Sequence, residues 1–211
     1  MRKLFILTAV LGLTACSSGR HSPLFETDGV QKPVQSCAVD PRRFAKAEPI
    51  KDFSEGNGCG ISNGYRIFAS SGVGFSQPAT VTCAVANTFN DWLQETVQPR
   101  AGEIYGSRVT AVKIAASYSC RPRNNVRGAK LSEHGMGNAI DVAGFTLADG
   151  REISVLGDYY GSRHNQAFLR AIRSDACGPF NTVLGPGSDA NHKDHLHFDL
   201  QRKRSGGPYC H

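Results

Sequence analysis

The stretch HKDHLHFDLQRKR, residues 192–204, places three of the chain's seven histidines within six positions and continues as an apolar-alternating run. Side chains of a β-strand alternate between faces, so a strand here sets Leu196, Phe198 and Leu200 on one side and His195, His197 and Asp199 on the other. The apolar side is the core side. The opposite side then presents two imidazoles about 6.6 Å apart, at about 3.3 Å per residue. One can ligate a metal while the other stands where it could take a proton. Asp199, on the same face, is placed to orient His197 from behind. A solvated, His-rich strand end accounts for the same residues, so this wall does not decide the matter alone.

A second wall is LSEHGMGNAIDVAGF, residues 131–145, in which His134 lies in a glycine-punctuated loop and Asp141 on the strand that follows, seven positions on. Imidazole nitrogen and carboxylate oxygen are both zinc donors, at about 2.0 to 2.2 Å. Gly135 and Gly137 are expected to let the loop pass beneath a bound ion where a Cβ would obstruct it. Asp141, flanked by Ile140 and Val142, points away from the core side. Ser132 and Glu133 can brace the His134 loop, with Glu133 a second candidate for a general base. Alone, the stretch also reads as a glycine-rich hairpin with an incidental histidine. Taken with His197, it gives a three-donor set, His134, Asp141 and His197, that leaves a fourth zinc position open, the arrangement of catalytic rather than structural sites.

SEHGMGNAID followed at a distance by HLH resembles the metal-site pattern of the superfamily of D-Ala-D-Ala metallopeptidases and lysostaphin-type endopeptidases, SxHxxGxAxD with a later ligand histidine. Within it, the stretch from about Pro33 to Cys210, including SYSCRPRNN, LGPGSD and HKDHLHFDL, is similar to the bacterial extensin-like C-terminal domain family. The resemblance implies a metallopeptidase-like fold, Zn2+ as cofactor, and His134, Asp141 and His197 as its ligands. It implies a catalytic role for His195, two before the last ligand, as general base and then acid. The carboxypeptidase and dipeptidase branches commonly carry Glu there, so this chain stands closer to the murein endopeptidase branch. His192, three residues earlier, matches a further histidine of that branch and would bind or protonate the tetrahedral intermediate. Arg121, expected at the end of its strand, matches an arginine that contacts substrate and would pair with a carboxylate or developing oxyanion through its planar fork; a surface charge beside a disulfide is the plainer reading. The implied function is peptidoglycan hydrolysis at an amide bond of stem peptides or cross-links. The competing class is a non-catalytic, zinc-containing wall-binding or adaptor lipoprotein, separated from the first by turnover on muropeptides.

The rest of the chain sets this site in context. At 211 residues and 40% hydrophobic content it supports one sizeable core. MRKLFILTAVLGLTACSSGR has a basic start, an apolar run from Leu4 to Leu13 too short to span a bilayer, and Leu13-Thr14-Ala15-Cys16, which resembles a lipobox. Residues 1–15 are therefore expected to be a lipoprotein signal peptide, 16–35 a lipid-anchored tether and 36–211 the zinc peptidase domain. Cys16 would carry the lipid, and Ser17 after it matches outer-membrane sorting, with the domain facing the periplasm.

The six other cysteines are an even set in an exported chain, where disulfides persist. Chain order suggests Cys37–Cys59, Cys83–Cys120 and Cys177–Cys210, out of fifteen possible pairings. Loss of Arg2 and Lys3 with the signal lowers the formal charge from +6 to +4. The basic runs CRPRNNVRGAK (120–130) and QRKR (201–204) could meet an acidic wall polymer or lipid headgroups; outside the cytoplasm, nucleic acid fits least. His21, His164 and His211 read as surface residues.

Helical spacing of Val85, Phe89, Trp92, Leu93 and Val97 predicts a core helix, with Thr80 or Thr82 as cap and Pro99 closing it. Alternation of Val112, Ile114, Ala116 and Tyr118 predicts a half-buried strand. NAIDVAGF, LADG and REISV read as strand, turn and return strand, NQAFLRAIRSDAC as a second helix, FNTVLGPG as a short strand and HLHFDLQ as the last one. Without regular strand–helix alternation, this is an α+β domain: a small antiparallel sheet with flanking helices, stapled by disulfides.

Overall fold

The structure, a computed structural model, describes residues 37–202 and 206–211. The signal peptide, the tether with Cys16 and His21, and Lys203 and Arg204 of the basic run lie outside the described residues.

The chain folds around one long sheet. Strands β1 (Lys46–Pro49), β4 (Gly64–Ser70) and β5 (Val73–Thr82) form one end, and β2 (Phe53–Ser54) and β3 (Gly60–Ile61) pair separately. Ser71 and Gly72 join β4 to β5 with positive φ of 50° and 76°, the backbone that a two-residue turn needs to match strand twist. Then follow β6 (Val109–Ala116), β7 (Ala139–Leu147), β8 (Glu152–Ser154), β9 (Thr182–Leu184), β10 (Leu196–Asp199) and β11 (Tyr209–Cys210). Their order is β1-β4-β5-β6-β7-β10-β9-β11, with β8 also on β7.

The α+β class holds, but the sheet has nine strands and is not purely antiparallel. β5 and β6 pair in parallel, as do β9 and β11. The first exception follows from the connection, because a helical crossover returns the chain in the same direction. HLHFDLQ is also not the last strand, since β11 follows it.

That crossover starts as α1 (Cys83–Trp92), capped by Thr82, whose Oγ1 accepts from Val85 N. Pro99 does not end it. A π turn at Leu93–Val97 shifts the hydrogen-bond register and carries the chain into α2 (Gln98–Tyr105), with Pro99 in its first turn. There the missing N–H and the ring are tolerated. Gly106, at φ 63°, ends the helix. Trp92 packs against Phe198 of β10 at a ring separation of 4.8 Å, and its Nε1–H donates to Ile172 O at 2.9 Å. α3 (Val155–Asp158) is a single turn before α4 (Arg163–Asp175), which buries Phe168, Leu169 and Ile172.

The core therefore lies between these helices and one face of the sheet. Leu196 and Phe198 are wholly buried in it, each such side chain contributing about 1.5–3 kcal/mol. Burying them fixes which way His197 and Asp199 face.

Only the third suggested disulfide holds. The bonds are Cys37–Cys83, Cys59–Cys120 and Cys177–Cys210. Neighbours in sequence were the wrong guide: β3 brings Cys59 beneath the segment after β6, and Cys37 meets the start of α1. The Cys59–Cys120 bond spans 61 residues, and loop-closure entropy alone assigns it about 4 kcal/mol. A Cys59→Ala/Cys120→Ala double variant should lose stability of that order in guanidinium unfolding; an unchanged midpoint would show the staple to be idle.

Candidate metal centre

β7 and β10 pair antiparallel with His197 directly opposite Asp141, while Asp141 faces Ala116 of β6 on its other side. Directly opposed residues share a face, so the register alone brings two of the three expected donors together. The third arrives on a 3-10 turn, Glu133–Met136, capped by Ser132, whose Oγ accepts from His134 N at 3.4 Å. Ser119 N donates to His134 O at 3.1 Å, which ties the turn to the segment leaving β6.

Gly135 and Gly137 serve a different purpose from the one expected. A Cβ on Gly135 would meet Cys59 Sγ at 3.0 Å, and one on Gly137 would meet Ile61 at 2.5 Å. Both face β3 and its disulfide rather than the donors. Gly137 also has φ 62°, which a side chain resists. The glycines let the His134 turn sit close on β3.

His134 Nε2 lies 3.1 Å from Asp141 Oδ2 and 3.2 Å from His197 Nδ1, and His197 Nδ1 lies 2.8 Å from Asp141 Oδ1. All three residues are buried, at 2%, 3% and 8% exposure. Their outer partners fix which nitrogens look inward. His134 Nδ1 donates to the carbonyl of Ser117 at 2.6 Å, and a carbonyl can only accept. His197 Nε2 donates to Asp199 at 3.1 Å, as expected of an orienting carboxylate. Two imidazole lone pairs and a carboxylate thus converge in a buried cluster, an arrangement that is repulsive without a positive charge at its centre. The residues fit a divalent cation, and His134, Asp141 and His197 could hold a metal ion.

The same demand shows in the proton affinities. Burial lowers that of His197, but hydrogen bonds and charge from Asp141 and Asp199 outweigh it and push its pKa up to about 9. Burial raises the Asp141 carboxyl, yet His134 and His197 hold it far below the usual range. These shifts are one interaction viewed from two ends. The His197 contribution is fully present below the unfolded pKa of 6.5 and is lost as pH rises through about 9. Chelator-stripped protein should therefore lose about 3 kcal/mol between these limits, and metal-loaded protein should not, because ligation needs the deprotonated ring. Urea melts across that range, with and without metal, test it.

A match to the family model for extensin-like protein C-terminus spans residues 35–211. The chain belongs to that family. No curated protein and no solved structure matches it.

In this extensin-like domain the donors form part of the wall of a cleft of about 360 Å³ that also carries His195, His192 and Arg121. His195 lies just before β10 and keeps Nε2 at 3.6 Å from Asp141 Oδ2. His192 is buried at 8% exposure, its ring 5.2 Å from that of His195. Burial pulls the His192 pKa below 6.5 despite its bond to Asp189. Arg121 is not on a strand end, since β6 stops at Ala116. It sits in the next segment, held by Ser132 N donating to its carbonyl at 3.1 Å.

Glu133 is buried and braced, accepting from Asn138 Nδ2 at 2.7 Å and from Gln201 Nε2, with Arg123 at 3.6 Å. Its oxygens hold the His134 turn in place, which argues against the general-base alternative. His164 and His211 are exposed, as expected. Arg123, Asn124, Asn125 and Asp189 also line the cleft; they end the SYSCRPRNN and LGPGSD stretches, but the sequence assigns them no individual role. For Asp189 a signal existed: it stands three residues before His192, one turn's reach away.

Proposed function

We propose that this chain is an exported, zinc-dependent peptidoglycan hydrolase that cleaves an amide bond in stem peptides or cross-links. The observation that carries the reading is the convergence of His134 Nε2, Asp141 and His197 Nδ1 in a buried cluster on a cleft wall. Two imidazoles with one carboxylate suit zinc better than calcium or magnesium, which take oxygen-rich shells. When bound, zinc supplies Lewis acidity toward the scissile carbonyl and makes water a nucleophile near neutral pH.

The chain's own residues supply the remaining steps. His195, with Nε2 toward the donor cluster, takes the proton from the attacking water and returns it to the leaving amine. Arg121 receives a substrate carboxylate or the carbonyl oxygen as charge develops. His192, which burial disfavours as a cation, orients the reacting groups through Nε2 rather than delivering a proton from it. Three disulfides accord with an oxidising compartment, and the motif ending at Cys16 with an outer-membrane lipoprotein facing the periplasm.

The test is mass spectrometry of muropeptides after incubating purified sacculi with the zinc-loaded full chain. New fragments whose masses together equal the parent plus one water support hydrolysis. An unaltered muropeptide profile at high enzyme concentration would leave only a wall-binding or adaptor role.

A further inference from the structure

Two cleft histidines share an arrangement that metal binding does not require. His195 Nδ1 lies 2.8 Å from Asp194 Oδ1, and His192 Nδ1 lies 2.8 Å from Asp189 Oδ1. The same ring nitrogen meets the same kind of partner in both. A carboxylate at neutral pH only accepts, so Nδ1 must carry the proton in each ring. An unbiased neutral imidazole prefers its proton on Nε2, which leaves no lone pair there for a cleft-side proton.

We propose that Asp194 and Asp189 are positioning residues that hold the Nδ1 protons of His195 and His192 and so present both Nε2 lone pairs to substrate. The use made of those lone pairs rests on the hydrolase reading; the tautomers do not. Asp189 is itself fixed, since its Oδ1 also accepts from Asn191 N at 2.7 Å. Asp194 is 65% exposed on its side chain, so its bond is screened, and its removal should cost turnover within the about 10- to 100-fold range of outer partners.

The experiment uses the zinc-loaded full chain labelled with 15N-histidine, whose long-range proton–nitrogen correlations distinguish the two tautomers. In the wild type, His195 and His192 should carry the proton on Nδ1. Asp194→Asn, whose amide can turn to donate, should move His195 toward the Nε2 form. It should lower kcat on purified sacculi by about 10- to 100-fold with KM and zinc content unchanged, and Asp194→Glu should restore part of both. Asp189→Asn should do the same for His192, with thermal melting as a check on the turn it braces.

Protons on Nε2 in the wild type, or tautomers indifferent to Asp194→Asn, overturn the proposal. Should the wild type show the Nδ1 tautomers yet leave sacculi intact, the positioning assignment stands and the hydrolase reading falls.

Discussion

His197→Ala should abolish zinc retention and hydrolysis together. In the proposed site this residue supplies one of three donors, and its loss leaves Asp141 buried with His134 at 3.1 Å and, farther off, His195 at 3.6 Å. Two protein ligands do not make the three-ligand set of a catalytic zinc site. The effect should exceed the about 10- to 100-fold loss of affinity expected when an outer partner is removed. Stability of the metal-free variant should also fall, because removing one partner of a buried ion pair costs about 3–5 kcal/mol. Metal analysis of the purified variant beside a sacculus assay measures both effects. Stoichiometric zinc in the variant would remove His197 from the ligand set.

His195→Ala should separate what His197→Ala joins. The imidazole sits outside the donor triangle, with Nε2 3.6 Å from Asp141 and a side chain 17% exposed to the cleft. Zinc content and melting temperature should hold, while turnover falls by about 10²- to 10⁴-fold, the usual worth of a general acid–base. Loss of zinc in this variant would mean that His195 is a ligand. Retained turnover would mean that another group moves the proton.

How much of this was legible in sequence depends on the range of the interaction. The alternation of Leu196 and Phe198 with His197 and Asp199 set the faces of β10 correctly, because burial of apolar side chains decides strand orientation locally. The spacing of Val85, Phe89 and Trp92 found the helix, though not its continuation through Pro99, since a π turn leaves no mark in the apolar period. The hairpin around Ser71 and Gly72 was not singled out, despite a turn-favouring pair between alternating strands. Disulfide partners depended on where β3 falls in space, which no spacing encodes. The candidate ligand set rested on a motif, yet the register opposing His197 to Asp141 is long-range, 56 residues apart in sequence.

That register has a further meaning for biogenesis. Side chains repeat every second residue along a strand, so a slip of one position between β7 and β10 would set Asp141 and His197 on opposite faces. Metal capture by the proposed site would thus be a checkpoint on assembly: only a correctly zipped sheet presents all three donors, and a bound cation would lock the zipper shut.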